Sequence, residues 1–309
     1  MRTMVIDNIE ITLAHPVDVP GDWIGQTEPL RQLQACWLMV APEDIPLSPR
    51  LIGVPGIGKT TLAISAGKSR GQDVYVMQCT ADTRPEDLLV TPVLSEKGKI
   101  AYHASPLLTA ALCGGIAVLD EGNRMSEKSW ASLAGLFDNR RTVESVVAGI
   151  VIKAHKEFRA VVTMNDDSST YEIPDYIMSR LQPGIEIGFP DKKDELKILS
   201  YNLPFCSEEI LDICVIFLQK AHGLDLPYSV RDGINAVRFT LKKKQLDPAA
   251  DTTMLFTDSV RRILGDEALD MDALAAKRKL SGNMQSMNLG DFFFPQDDDL
   301  NPDNPPDRD

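Results

Sequence analysis

Residues able to hold a phosphate stand together in Gly53-Val54-Pro55-Gly56-Ile57-Gly58-Lys59-Thr60-Thr61, where Gly53, Gly58, Lys59 and Thr60 fill every fixed position of GxxxxGK[ST]. The glycines let the backbone turn inward, so that its N–H groups and the start of a following helix surround a β-phosphate. Lys59 is expected to reach the β- and γ-phosphates, and the Thr60 hydroxyl to ligate Mg²⁺. By itself this loop fits kinases, GTPases and ATPases alike.

Further along, Ile116-Ala117-Val118-Leu119 runs into Asp120-Glu121. Four apolar residues in a row suit a parallel strand covered on both faces, and ligands collect at the C-terminal edge of such strands. Asp120 there is expected to hold the magnesium through water, and Glu121 to polarise the attacking water as general base. The run Phe158 to Met164 reads as another buried strand and ends at Asn165, with Asp166 and Asp167 beside it. The Asn165 amide both donates and accepts, so it suits holding the lytic water against the γ-phosphate.

Two arginines complete the set. Arg180, in Ile173-Pro174-Asp175-Tyr176-Ile177-Met178-Ser179-Arg180-Leu181 before an expected strand over Ile185 to Phe189, suits insertion into a neighbouring subunit's site, where it would stabilise charge on the transferring phosphoryl group. Arg140 and Arg141 are alternatives for that role. Ser229 reads as a helix N-cap with Asp232 three residues on, a capping-box variant that puts Arg231 in the first turn, where it can contact the γ-phosphate.

These residues need elements to position them. Leu51-Ile52 supplies a strand into the phosphate loop, and a helix leaves it near Lys59. From Asp191 to about Gly265 the apolar spacing is helical: Leu196 and Leu199, then Ile210, Ile213, Cys214 and Phe217, then Ile234, Val237 and Leu241. Lys242-Lys243-Lys244 suits the C-terminus of the third of these helices rather than a nucleic-acid patch. Thr91 to Leu94 and Lys99 to Tyr102 flank Glu96-Lys97-Gly98 as a hairpin. Residues 1–21 read as an extended arm with a short strand over Ile9 to Leu13, ended by Pro16 and Pro20. Beyond residue 280 the composition turns to Gly, Asn, Met, Asp and Pro around Phe292-Phe293-Phe294, too polar to fold alone. The expected division is an arm (1–21), a nucleotide-binding core (22–190), a helical lid (191–270) and an acidic tail (271–309).

With the motifs in this order, the chain resembles the MoxR branch of AAA+ ATPases and its dynein-related relatives over roughly residues 22 to 265. The more specific marks are Trp23-Ile24-Gly25-Gln26, Ser105-Pro106-Leu107-Leu108-Thr109 leading into Gly114-Gly115, Asp120-Glu121-Gly122-Asn123-Arg124, and Thr163-Met164-Asn165. Gly122 stands where the family usually has an aliphatic residue or Ala, and Asp166 where it commonly has Pro. The resemblance implies an α/β fold, a P-loop NTPase αβα core on a five-stranded parallel sheet plus a small helical lid, assembled as a hexameric ring with ATP-Mg²⁺ between subunits. It further implies Ile24 and Gly25 bordering the adenine, the 91–102 hairpin turned toward the ring pore, and a protein client, such as one with a von Willebrand factor A domain. A nucleic-acid-directed AAA+ motor or loader subunit is the alternative, and a signalling switch with incidental turnover a third.

Composition bounds these readings. At 309 residues and 43% hydrophobic, the chain can build a substantial core. Its formal net charge of −13 includes seven Asp against one Arg in residues 291–309, and an acidic body gives no general reason to attract DNA. Cys36, Cys79, Cys113, Cys206 and Cys214 lack metal or redox spacing and read as free thiols. No segment approaches the ~20 apolar residues of a membrane span, so the cytoplasm is the expected compartment.

Overall fold

Strands dominated by apolar residues must be covered on both faces, and this chain places three of them side by side. A computed structural model describes residues 2–18, 21–94, 98–166 and 173–277. Two N-terminal strands, β1 (Thr3–Ile6) and β2 (Ile9–Thr12), precede α1 (Thr27–Cys36), β3 (Arg50–Gly53), α2 (Lys59–Ser69) and β4 (Val74–Gln78). A hairpin of β5 (Val90–Leu94) and β6 (Ile100–Ala104) leads to α3 (Pro106–Cys113), β7 (Ile116–Asp120) and α4 (Glu127–Leu133). A second hairpin, β8 (Thr142–Ser145) and β9 (Ile150–Lys153), precedes β10 (Arg159–Asn165), the single turn α5 (Asp175–Met178) and β11 (Gly184–Glu186). Four helices follow: α6 (Lys192–Asn202), α7 (Glu208–Gly223), α8 (Val230–Leu246) and α9 (Thr252–Leu264).

The main sheet is parallel throughout, in the order β11-β3-β10-β7-β4. This is the expected five-stranded α/β core. Every residue of β10 is buried, as are the first four of β7. Because β10 lies between β3 and β7, the ends Gly53, Asn165 and Asp120 open on one edge. Ser105 caps α3: its Oγ accepts from the Leu108 N–H (3.0 Å) and donates to the Leu88 carbonyl (2.6 Å), while Pro106 occupies the first turn.

Three details differ from the sequence expectations. The N-terminal segment is no extended arm: β1 and β2 form a hairpin, and β2 pairs in parallel with β6, giving a second sheet β1-β2-β6-β5. Ile11 and Leu13 sit in the principal core, so burial of alternate residues holds this segment down. The strand expected over Ile185 to Phe189 ends at Glu186, because Phe189 leaves the sheet to stack on His222 (3.9 Å between centroids, 10° between planes). The β8–β9 hairpin was not anticipated, and its tip exposes Val146. The 91–102 hairpin is present as β5–β6; Glu96 and Lys97 at its turn, Asp167, and the 278–309 part of the acidic tail lie outside the described residues.

The helices from α6 onward share an apolar core of their own around Leu199, Leu211, Cys214, Leu218, Val237 and Phe256. Where they meet the sheet, Gln219 donates to the Pro190 carbonyl (3.1 Å) and to Oε2 of fully buried Glu195 (2.8 Å). Burial pushes the Glu195 carboxyl up to about 7, and burial likewise lowers the pKa of neighbouring His222. Glu195 Oε1 and His222 Nδ1 face each other at 3.8 Å, each without a hydrogen-bond partner. A carboxyl whose pKa rises on folding contributes its full stability below the unfolded value near 4.5 and loses it as pH climbs through about 7. The His222 shift acts oppositely, costing stability as pH falls. Glu195→Gln removes the carboxylate's penalty, worth at most about 3 kcal/mol, and is expected to raise the melting temperature at pH 8 by more than at pH 5. Equal shifts at the two pH values would show that Glu195 does not titrate in this range.

Candidate active site

The phosphate loop is gripped from both sides. Gly56 and Gly58 adopt positive φ (+83° and +103°), which glycine tolerates and other residues rarely do. A Cβ on Gly56 would stand 2.3 Å from Ser229 Oγ at the start of α8, and one on Gly58 would stand 3.0 Å from the Trp23 ring. The loop thus packs directly on the helical layer, and its glycines permit that approach. Ser229 and Asp232 form the expected capping box, with the Ser229 N–H donating to Asp232 Oδ2 (2.8 Å). This capping sets Arg231 in the first turn over the loop.

Lys59, at the first position of α2, is 6% exposed and its Nζ donates to the carbonyls of Gly53 (2.8 Å) and Val54 (3.0 Å). Next to it, Thr60 Oγ1 donates to Asp120 Oδ1 at 2.6 Å. The same carboxylate oxygen accepts from Thr163 Oγ1 (2.6 Å), which in turn accepts from the Glu121 N–H (2.9 Å). Thr163 therefore ties the ends of β7 and β10 together. Glu121 takes the left-handed conformation (φ 56°), uncommon for a residue with a side chain. Its Oε1 accepts from Asn165 Nδ2 (3.1 Å), its Oε2 accepts from Gln78 Nε2 (3.2 Å), and Arg124 Nε lies 2.7 Å from Oε2. Asn123 donates to the Asn165 carbonyl at 2.9 Å and braces the strand end.

These groups surround one opening in two parts. A narrow cavity of about 90 Å³ is lined by Lys59, Thr60, Asp120, Glu121, Asn165 and Arg231. Sharing Gly56, Gly58, Thr61 and Arg231, a wider one of about 350 Å³ runs between Trp23-Ile24 and the helical layer, where Tyr201, Ile234, Asn235 and Arg238 face it. The narrow part presents cations, a hydroxyl and carboxylates; the wider part is mixed apolar and polar, of a size that suits a small ligand. Donors for a hard cation exist in Thr60 Oγ1 and the Asp120 carboxylate, with space beside them for phosphate and water oxygens, so the residues fit Mg²⁺. Three or more His, Cys, Asp or Glu grouped as an all-protein metal cage do not occur among the described residues.

Most sequence-selected residues meet here: the loop from Pro55 to Thr61, Asp120, Glu121, Asn165, Arg231 and Ile24. Gly53 and Val54 adjoin through the Lys59 ammonium. Gly25 does not line the cavity. With φ +76° it packs against the Asp194 carboxylate, which accepts from the Gln26 N–H (2.9 Å) at the start of α6. Arg180 is also elsewhere, beside a separate cleft with Asp138 and Arg140. Arg141 is used internally, donating to the carbonyls of Phe158 (2.9 Å) and His155 (3.2 Å). Sequence reasoning assigned no role to Gln78, Arg124, Tyr201, Asn235 or Arg238. Asn235 and Arg238 follow Arg231 at four and seven residues, so helical spacing from Arg231 was the available signal.

Residues 50–181 match the family model for the AAA domain (dynein-related subfamily). The chain is similar to the uncharacterized protein YeaC of Bacillus subtilis, 28% identical over 175 residues, covering 54% of this chain and 52% of that protein. It is also similar to protein CbbQ of Hydrogenophilus thermoluteolus, 24% identical over 187 residues, covering 59% of this chain and 69% of that protein. The chain thus spans about half the length of the first relative and about two thirds of the second. In fold it is similar to a mutant form of RuvB from Thermotoga maritima, with a TM-score of 0.56 at 15% identity over 80% of this chain and 73% of that one.

Proposed function

From a chain that carries an AAA domain of the dynein-related ATPases, we infer an enzyme that binds and hydrolyses ATP with Mg²⁺ at the interface between copies of itself in a ring. The observation that carries this reading is the Glu121 carboxylate, turned by its left-handed backbone toward the narrow cavity and held by Asn165 beside Lys59, Thr60 and Asp120. In this reading Lys59 and Arg231 bind the phosphates and Trp23, Ile24 and Tyr201 border the base. Thr60 and Asp120 would hold Mg²⁺, which when bound neutralises phosphate charge. Asn165 orients a water and Glu121 takes its proton, moving it from the water oxygen to a carboxylate oxygen.

Arg180 supports the ring reading by lining neither part of its own nucleotide cavity. A charge at the γ-phosphate is then supplied by the adjacent copy. The wider division follows: a core of residues 22–190 binds nucleotide and a lid of 191–270 moves with it, the lid's α8 touching the phosphate loop at Gly56. The work is remodelling or activation of a partner protein in the cytoplasm, a chaperone-like role for which a von Willebrand factor A domain is the class of client proposed. A nucleic-acid track gains nothing from the lysine run: Lys243 pairs with Asp258 and Lys244 donates to the Ala250 carbonyl at 2.5 Å. Among the described residues no helix is long and apolar enough to cross a membrane.

Steady-state turnover against protein concentration tests the interface reading. Per-subunit turnover is expected to rise as rings assemble, and Arg180→Ala to lower it by about 10³-fold while leaving the affinity for ATP within a few-fold of the parent. Wild-type turnover in Arg180→Ala would sink the reading.

A further inference from the structure

Two guanidinium groups share one carboxylate on the edge that holds Arg180. Asp138 follows the buried pair Leu136 and Phe137, and its carbonyl accepts from the Arg141 N–H (3.0 Å) to close a turn, so its backbone is fixed. Its Oδ1 accepts from the Arg140 backbone N–H (2.9 Å) and from Nε (3.1 Å), and its Oδ2 from Nη2 (2.7 Å). This two-toothed local pairing locks the carboxylate in one orientation. Arg180 Nη2 lies 3.8 Å from the same Oδ2, within ion-pair range but beyond hydrogen-bond distance. Arg180 is otherwise held by its own turn, donating to the Tyr176 carbonyl and lying 5.9 Å over the Tyr176 ring, and its buried Nε has no partner.

The two contacts differ in kind. Arg140 is clamped, whereas Arg180 is aimed: the carboxylate attracts its guanidinium without saturating it. Two cations against one anion leave the cluster one net positive charge, beside a cleft of about 590 Å³ whose apolar rim includes Ile45 and Leu47, 37% and 51% exposed. An anion arriving on a second copy of this chain would meet a guanidinium whose direction is set and whose Nη2, 3.8 Å from Asp138 Oδ2, is not committed to a hydrogen bond.

We propose that Asp138 is a positioning residue: fixed by Arg140, it aims Arg180 at the nucleotide phosphate bound by the next copy of this chain. The assignment rests on the proposed trans role of Arg180. It sets an order of effects, Arg180 above Asp138 above Arg140, since Arg180 would touch the phosphate and Arg140 would act only through Asp138.

Subunit mixing tests it with the full chain. Asp138→Asn alone is expected to lose about ten- to a hundredfold in turnover, the scale of a misaimed catalytic group, with ATP affinity unchanged. Glu121→Gln alone is inactive but keeps its own Arg180 in place. Mixed one to one, a site with Glu121 from an Asp138→Asn subunit and Arg180 from a Glu121→Gln neighbour is complete. Random assembly makes about a quarter of sites of this kind, so activity should return to about a quarter of wild type. A merely structural defect at Asp138 would weaken ATP binding and would not be complemented. Arg180→Ala mixed with Glu121→Gln is the control. If it recovers activity and Asp138→Asn does not, the Asp138 assignment fails alone; if neither recovers, the trans reading fails with it. Undiminished turnover in Asp138→Asn, or Arg140→Ala as damaging as Arg180→Ala, also overturns the assignment.

Discussion

Glu121→Gln is expected to lower ATP turnover by about 10²–10⁴-fold, the usual contribution of a positioned general base, and to leave ATP affinity within a few-fold. The geometry explains why the effect falls on turnover. A carboxylate offers about four acceptor positions; Asn165 and Gln78 each fill one, and Arg124 sits against Oε2 as an ion pair rather than as a hydrogen-bond donor. Acceptor capacity therefore remains for the proton of a water. A glutamine oxygen can still accept from Asn165, so the side chain is held in place, but an amide cannot take a proton at neutral pH. The Arg124 ion pair at Oε2 is lost as well, a contact separate from the Asn165 bond at Oε1. Single-turnover hydrolysis separates the two outcomes: ATP bound and retained uncleaved fits the assignment, and cleavage within about threefold of the parent rate, far inside the expected effect, would assign the base elsewhere. Proteins that remain with the ATP-loaded variant on purification would identify the client.

The sheet was legible because its strands are unambiguous in kind. Ile116 to Leu119 and Phe158 to Met164 admit no solvent face, so they read as central parallel strands and the structure places them adjacent. The N-terminal hairpin carries a weaker signal. Its turn, Asp7-Asn8, has positive φ at both residues, a favoured two-residue hairpin turn, and the strands beside it alternate in burial. Reading that segment as an arm gave weight to Pro16 and Pro20, which lie after both strands. The β8–β9 hairpin was hidden for a different reason: Ile150-Val151-Ile152 looks like a continuous apolar run, and only the structure shows Val151 turned outward at 62% exposure.

Within the site, legibility followed covalent proximity. The loop residues, Asp120 with Glu121, and Asn165 sit at strand ends or in one short segment, so a motif names them together. Contacts made by long side chains across elements leave no such trace. Gln78 ends β4, and its reach to Glu121 depends on β4 lying beside β7 in register, with Gln78 opposite Asp120. Gly25 does not line the cavity for a related reason. Its neighbours Trp23 and Ile24 line the cavity, but its backbone turns away to admit Asp194 from a helix far along the chain.

Lys59→Ala is expected to act at the earlier step and to remove nucleotide binding, weakening ATP by at least about a hundredfold, or about 3 kcal/mol. The ammonium is buried against two loop carbonyls, so it is already desolvated and fixed within the loop before any phosphate arrives. Little further ordering is then needed to turn its donors to phosphate oxygens, and the exchange of neutral carbonyl acceptors for anionic ones is what appears as affinity. Removal also leaves the Gly53 and Val54 carbonyls short of a donor, a modest cost in stability because water enters from the open cavity. Lys59→Arg sharpens the claim. It keeps the charge, but a planar guanidinium presents its donors in a fixed fork that does not reproduce one ammonium placed between two carbonyls. Calorimetric titration with ATP should therefore show both variants impaired. Parental affinity in Lys59→Arg would reduce the role of Lys59 to charge alone, whereas parental affinity in Lys59→Ala would remove the phosphate loop from the account altogether.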